Sequence, residues 1–225
     1  MCKILTLFCF ILFGAAVYGQ KLGQVNLQNG GSLNFFSIQT DQNVLIRISS
    51  DGKVLEWGTE ALSDRGNYFA PQLQPFMGRV EYYSQETDSA FRGKIKSIGS
   101  CYITYYGAYD EVAKRGKLKS MGQLNMDYYG TYDEKSLQGK LKQLGNLSID
   151  YYRQYENEAI RGKLKAIGST AITDYTTFDD RFNAGKLKTV GATSYSWYSE
   201  YDRARGALKS NNYRQNISGI LFILR

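Results

Sequence analysis

Five acids recur at one spacing. Asp110, Asp133, Glu156, Asp179 and Asp202 stand 23 residues apart, each directly after a Tyr or Phe. A carboxylate in such a register can bind a cation, act as a general acid or base, or close a loop. A calcium site wants six or more oxygens, and this register supplies one carboxylate per unit. A glycan-cleaving pair needs two carboxyls about 5–10 Å apart in one cleft. Asp179-Asp180 is the one adjacent pair of two Asp, and neighbouring residues on a strand point to opposite faces. The acid position therefore reads as a loop residue paired with Lys or Arg of the next unit. The chain has no His, which removes the commonest general base and most zinc and copper sites. No catalytic residue, metal site or cofactor is expected.

The elements that must position these acids are five copies of one unit, starting at Gly93, Gly116, Gly139, Gly162 and Gly185. Each reads roughly Gly-Lys-Leu-Lys-x-Ile-Gly-x-Leu-x-Ile-x-Tyr-Tyr-x-x-Tyr-Asp. A fixed period of this length marks a repeat architecture, in which units bury their apolar side chains against their neighbours. The second Gly opens a dipeptide in every copy: Gly99-Ser100, Gly122-Gln123, Gly145-Asn146, Gly168-Ser169 and Gly191-Ala192. Gly-x between two short apolar runs predicts a type II′ hairpin turn. Counting outward from that turn sets the register. Met121 then opposes Leu124, Lys119 opposes Met126 and Lys117 opposes Tyr128; Leu144, Lys142 and Lys140 oppose Leu147, Ile149 and Tyr151. The same count pairs Lys94 with Tyr105, Lys186 with Trp197, and Lys163 with Asp174. An aromatic face and a carboxylate each attract a cation, worth about 0.5–1 kcal/mol or less at exposed sites. The other face pairs Leu118 with Asp127 and Ser120 with Asn125, so neither face reads as wholly apolar.

These readings predict an all-β chain, an antiparallel meander of stacked β-hairpins forming an elongated, single-layer twisted sheet. Tyr105, Tyr128, Tyr151 and Trp197 form a candidate aromatic ladder for a glycan or protein surface, with packing between rungs as the alternative. A transmembrane barrel is disfavoured, because its strands need about 9–11 residues with a clean lipid-facing alternation.

Upstream, residues 20–77 predict a β-meander with a Pro-containing loop. Asp51-Gly52 between alternating apolar runs predicts a type I′ turn, and residues 61–77, holding Pro71 and Pro75, predict a long loop. Residues 78–225 predict the repeat region with a degenerate C-terminal cap, in which Ile220 to Leu224 suits a final strand. Residues 1–19 predict an export signal: Lys3, an apolar run from Ile4 to Val17, and small residues before Gln20. Its removal leaves a chain with no transmembrane segment, a net charge of +6 and one cysteine, Cys101, which reads as a small buried hydrophobe. Lysines and acids are interleaved, so the positive charge reads as a solvated surface and no nucleic-acid partner is expected.

Gly-Lys-Leu-Lys-x-x-Gly followed by paired Tyr-Tyr, over residues 93–209, resembles the bacterial variant of MORN repeats. Tyr-Asp followed by Gly-Lys-Leu is similar to the tyrosine-aspartate repeats of large secreted toxin shells. Both resemblances imply antiparallel hairpin stacking in a scaffold or interaction surface, and neither carries over a functional residue. The function expected is an exported, non-enzymatic binding or structural module of the periplasm, cell surface or extracellular space. The alternatives are an immunity or antitoxin-like partner of a secreted toxin, and a carboxylate-dependent glycan-active enzyme.

Overall fold

The computed structural model describes residues 19–28, 30–61, 72–85 and 87–225. Nearly all of the expected signal, and most of the expected Pro-containing loop, lie outside the described residues. The described residues form eighteen strands and no helix, in two open and largely antiparallel sheets.

The repeats build an eleven-stranded sheet as consecutive hairpins. Val80–Tyr82 (β6) pairs with Ile95–Ile98 (β7), followed by Cys101–Tyr105 (β8), Leu118–Met121 (β9), Leu124–Tyr128 (β10) and Leu141–Leu144 (β11). Leu147–Tyr151 (β12), Leu164–Ile167 (β13), Thr170–Asp174 (β14), Leu187–Val190 (β15) and Thr193–Ser194 (β16) complete it in chain order. Met121 pairs with Leu124, and Leu144 with Leu147, as the turn count predicts. Gly122 has φ +54° while Gln123 keeps a negative φ, the φ signs of a type II′ turn.

One irregularity changes the faces. Between β8 and β9, Thr104 pairs with Ser120 but Tyr105 pairs with Leu118, so Lys119 is an extra, unpaired residue. The same bulge recurs at Lys96, Lys142, Lys165 and Lys188. A bulge adds one residue and resets the alternation of a strand. Leu118 and Met121 therefore face the same way, both fully buried, while Lys119 turns outward. A strict period-two count places Leu118 on the polar face. The bulge corrects that, and the inner face reads Leu118, Met121, Leu124, Met126 and Tyr128, apolar throughout.

That apolar face needs a cover, and a second sheet supplies it. Lys21–Gln28 (β1), Ser32–Gln39 (β2), Leu45–Ile48 (β3) and Val54–Glu60 (β4) form the expected meander, extended by Leu73–Gln74 (β5). The chain's last hairpin, Arg214–Ile217 (β17) and Ile220–Leu224 (β18), leaves the repeats and joins this sheet, with β18 parallel to β1. Ile220 to Leu224 is thus a strand, and it sits inside the seven-stranded sheet between β1 and β17. Val25, Phe36, Ile38, Ile46 and Phe222 share one core with Ile103, Leu118, Tyr128, Leu141, Leu164 and Leu187. The meander expectation holds for the repeats. The expectation of a single layer is replaced by two stacked sheets, because a fully apolar face is stable only when buried.

Two turns of the covering sheet dock on the repeats. The Leu141 N–H donates to Ser50 O at 2.7 Å, and the Leu187 N–H donates to Gly30 O. The first turn differs from expectation: Asp51 keeps a negative φ and only Gly52, at +76°, is left-handed. Ser49 N–H bonds Lys53 O and Gly52 N–H bonds Ser49 O, a three-residue loop with a Gly bulge in place of the type I′ turn. Lys117 Nζ donates to Asp51 O at 3.0 Å from the sheet below. Cys101 is buried, as its apolar repeat position suggests, and burial pushes its thiol up to about 11.

Candidate binding surfaces on the repeat meander

Three ladders run along the repeats, one on each face and one along the loop edge. On the inner face the predicted Lys–aromatic pairs are present. Lys94 lies 5.0 Å from the Tyr105 ring centre, Lys117 5.6 Å from Tyr128, Lys140 5.0 Å from Tyr151 and Lys186 5.0 Å from Trp197. Lys163 instead meets Asp174 at 3.4 Å. The ammonium groups also tie successive units: Lys140 donates to Gly162 O at 3.1 Å and Lys186 to Gly206 O at 2.8 Å. Desolvation lowers the pKa of Lys94, Lys117, Lys140 and Lys186.

Burial divides the candidate ligand ladder. Tyr105, Tyr128 and Tyr151 lie in the core, and Trp197 is half-buried with its indole N–H on Leu187 O at 2.8 Å. Tyr128 and Tyr151 are sealed between the two sheets, while Tyr105, though in the core, borders a cleft beside Trp57, and Trp197 stays half-buried.

The outer face carries a second Lys–aromatic series. The bulged lysines Lys119, Lys142, Lys165 and Lys188 lie 5.2–5.5 Å from the rings of Tyr106, Tyr129, Tyr152 and Tyr175. Each of these tyrosines reaches across to the next hairpin. Tyr106 OH donates to Met126 O at 2.9 Å, Tyr129 OH to Ile149 O at 3.1 Å, Tyr152 OH to Ile172 O at 3.0 Å and Tyr175 OH to Tyr195 O at 3.2 Å. The Tyr-Tyr dipeptide thus sends one ring to the core and one hydroxyl to its neighbour. A buried hydroxyl with a partner contributes about 1 kcal/mol, while one without a partner costs free energy. Tyr129→Phe is therefore expected to lose about 1 kcal/mol. Tyr151→Phe is expected to be neutral or stabilising, because the Tyr151 hydroxyl is buried without a hydrogen-bond partner. Urea denaturation of both variants checks this, and equal losses would contradict the assignment.

The loops between hairpins hold the acids. Asp110 accepts the Gly107 N–H at 2.6 Å, Asp133 that of Gly130 at 2.6 Å, Asp179 that of Thr176 at 2.9 Å and Asp202 that of Ser199 at 2.7 Å; Glu156 accepts from Arg153. Three of the five also pair with a lysine of the next unit: Asp133 with Lys142, Glu156 with Lys165 and Asp179 with Lys188. The predicted pairing is therefore present at three positions, while loop closure is common to all five. A further series escaped the sequence reading. Asp88 accepts the Ala108 N–H, Glu111 that of Thr131, Glu134 that of Gln154 and Asn157 that of Thr177, each joining one loop to the next. Its signal was legible as a second polar register of 23 residues. Backbone amides hold the carboxyls of Asp88 and Glu111 below the usual range, and the Ser136 hydroxyl, then the Gln154 amide, do so for Glu134.

The same loops project the aromatic residue that precedes each acid. Tyr109, Tyr132, Tyr155, Phe178 and Tyr201 are 83–102% exposed. They are the fully solvated members of the repeat's aromatic set, although burial alone separates them from the core tyrosines. Elsewhere, an apolar cleft of about 430 Å³ opens where Trp57 and Val54 of β4 face Tyr82, Lys94 and Tyr105. Two polar clefts of about 590 and 490 Å³ lie on the outer side of the seven-stranded sheet. Among the described residues, no three His, Cys, Asp or Glu gather to hold a metal ion, and no helix is long and apolar enough to cross a membrane.

Compared with known proteins, the chain matches no family model, no curated protein and no solved structure. The site must be judged on its own geometry.

Asp174 stands where the other units place Tyr or Trp. An added Cβ on Gly31 would meet its Oδ1 at 2.6 Å, so the incoming turn leaves no room for a ring there. Burial raises the Asp174 carboxyl to about 6, against the opposing pull of Lys163. A folded pKa above the unfolded value means that the folded state holds the proton more tightly. Its stabilising effect is complete at pH below about 4 and is lost as pH rises through about 6. With no His in the chain, stability is expected to fall by about 1 kcal/mol from pH 5 to pH 7 through this group. Urea melts at the two pH values should show this fall in the parent and its loss in Asp174→Asn. A difference that survives the substitution removes Asp174 as its cause.

Proposed function

We propose that this chain is an exported, non-enzymatic binding module of the cell envelope or extracellular space, with the loop edge of its repeats as the working surface. The observation that carries this reading is the row of five solvated aromatic side chains on loops that are fixed from below. Exposed aromatic rings add nothing to folding where they stand, and aromatic residues dominate the energetics of binding surfaces. The acids beside them are engaged in closing each loop and in joining it to the next, which speaks for a rigid display and against a carboxylate pair free for catalysis. The signal-like sequence of residues 1–19 supports export, and a mature chain left with the single cysteine Cys101 suits a bacterial envelope.

The test is fractionation of a bacterial host expressing residues 1–225, with intact-mass measurement. A mature chain beginning at Gln20, recovered from the periplasm, cell surface or medium, supports the reading. A full-length chain retained in the cytosol defeats it.

A further inference from the structure

We infer that the loop edge binds an extended, uncharged β-1,4-linked polysaccharide, one aromatic residue stacking on every second sugar ring; this rests on the binding-module reading above. Each repeat adds two strands to the sheet, a step of about 9–10 Å. The step persists out to the loop tips from Tyr109 to Phe178, because those loops are bonded directly: Asp88 to Ala108, Glu111 to Thr131, Glu134 to Gln154 and Asn157 to Thr177; Tyr201 follows at the same 23-residue spacing. Tyr109, Tyr132, Tyr155, Phe178 and Tyr201 thus form a ruler with one mark per repeat. In an extended β-1,4-linked chain, successive pyranose rings flip over, so equivalent faces recur once per disaccharide. The length of that disaccharide matches the step of the ruler. The apolar C–H face of a pyranose complements an aromatic ring, which is a large, rigid, amphipathic contact.

Charge selects the class of polymer. The chain is basic overall, yet the loop tips are not. Asp110 and Glu111 stand against Lys114 and Arg115, and Asp179 and Asp180 follow Phe178 with Arg181 next. Loop tips whose acids and bases offset one another give phosphate or uronate polymers no cationic surplus to bind and leave a neutral glycan free to approach. Phe178 in place of Tyr also fits stacking, which uses the ring and needs no hydroxyl.

The decisive measurement is calorimetric titration of residues 20–225 with cello- and chito-oligosaccharides of four and six sugars, with maltohexaose as a comparison. Binding is expected to strengthen with length for the β-1,4-linked series. Tyr132→Ala and Tyr155→Ala are each expected to weaken it by about tenfold, and replacement of all five rings by Ala should abolish it. Circular dichroism should stay unchanged in every variant, since these rings are solvated. Tyr102→Ala, a half-exposed tyrosine away from the loop edge, should bind as the parent does. Equal affinity for maltohexaose overturns the spacing argument. Absence of binding to both β-1,4-linked series, or binding that survives loss of all five rings, overturns the proposal. Because export is scored separately by mass and location, a correctly exported chain that ignores these glycans defeats this inference alone.

Discussion

Tyr128→Ala and Tyr151→Ala are each expected to cost about 3–5 kcal/mol of unfolding free energy, the range for removing a large side chain from a packed core. Both rings are 1% exposed. Tyr128 meets Tyr106 edge-on at 6.1 Å, and Tyr151 meets Tyr129 in the same way at 6.1 Å. Each ring also carries a lysine that loses its aromatic partner on truncation. By contrast, Tyr132→Ala changes a ring that touches water on all sides and should stay within about 0.5 kcal/mol of the parent. Urea denaturation with a far-UV readout separates the two groups. Similar costs for Tyr132 and Tyr151 would show that the register of buried and solvated rings is misassigned. The contrast also governs how binding data are read, because ligand affinity lost in a Tyr128 or Tyr151 variant reports a damaged core.

The second large effect lies at the contact between the sheets. An added Cβ at Gly52 would lie 2.1 Å from the Tyr128 hydroxyl oxygen and 2.6 Å from its Cζ. Gly52 also holds φ +76°, a conformation that costs an L-residue about 1–2 kcal/mol. Gly52→Ala is therefore expected to lose about 2–4 kcal/mol, combining backbone strain with overpacking. The ring cannot retreat, since it is held in the core below. The two contributions separate in a double-mutant cycle with Tyr128→Leu. Removal of the ring should recover the overpacking part of the Gly52→Ala cost and leave the backbone part. Costs that simply add would refute direct contact between this turn and Tyr128. Loss of the Ser50–Leu141 hydrogen bond, read by faster amide exchange at Leu141, should accompany the substitution.

The loop acids show how far a sequence register reaches. Their spacing and their position after an aromatic residue were readable. Their main partner, a backbone amide three residues earlier, was not, because one acid can pair with a lysine or close its own turn with equal local chemistry. The inter-loop acids were missed for a related reason: their partners lie in the next unit. Counting from one turn found the inner Lys–aromatic pairs, whereas Lys119 and Lys142, counted opposite Met126 and Ile149, turn outward because each is the unpaired residue of a bulge.

The unit, its Gly-x turn, the cross-strand pairs nearest that turn and the order of hairpins along the meander are all legible in the residues alone. These depend on contacts within a few residues, where backbone conformation and side-chain period leave few choices. Tertiary structure decided which aromatic residues are core and which are solvated. A single unpaired lysine per strand inverts the alternation beyond it, and no local signal marks the inversion. Tertiary structure also decided that the meander has a cover. That cover joins the first described strand to the last in parallel, a pairing between distant segments whose only reason is the apolar face that the bulges create.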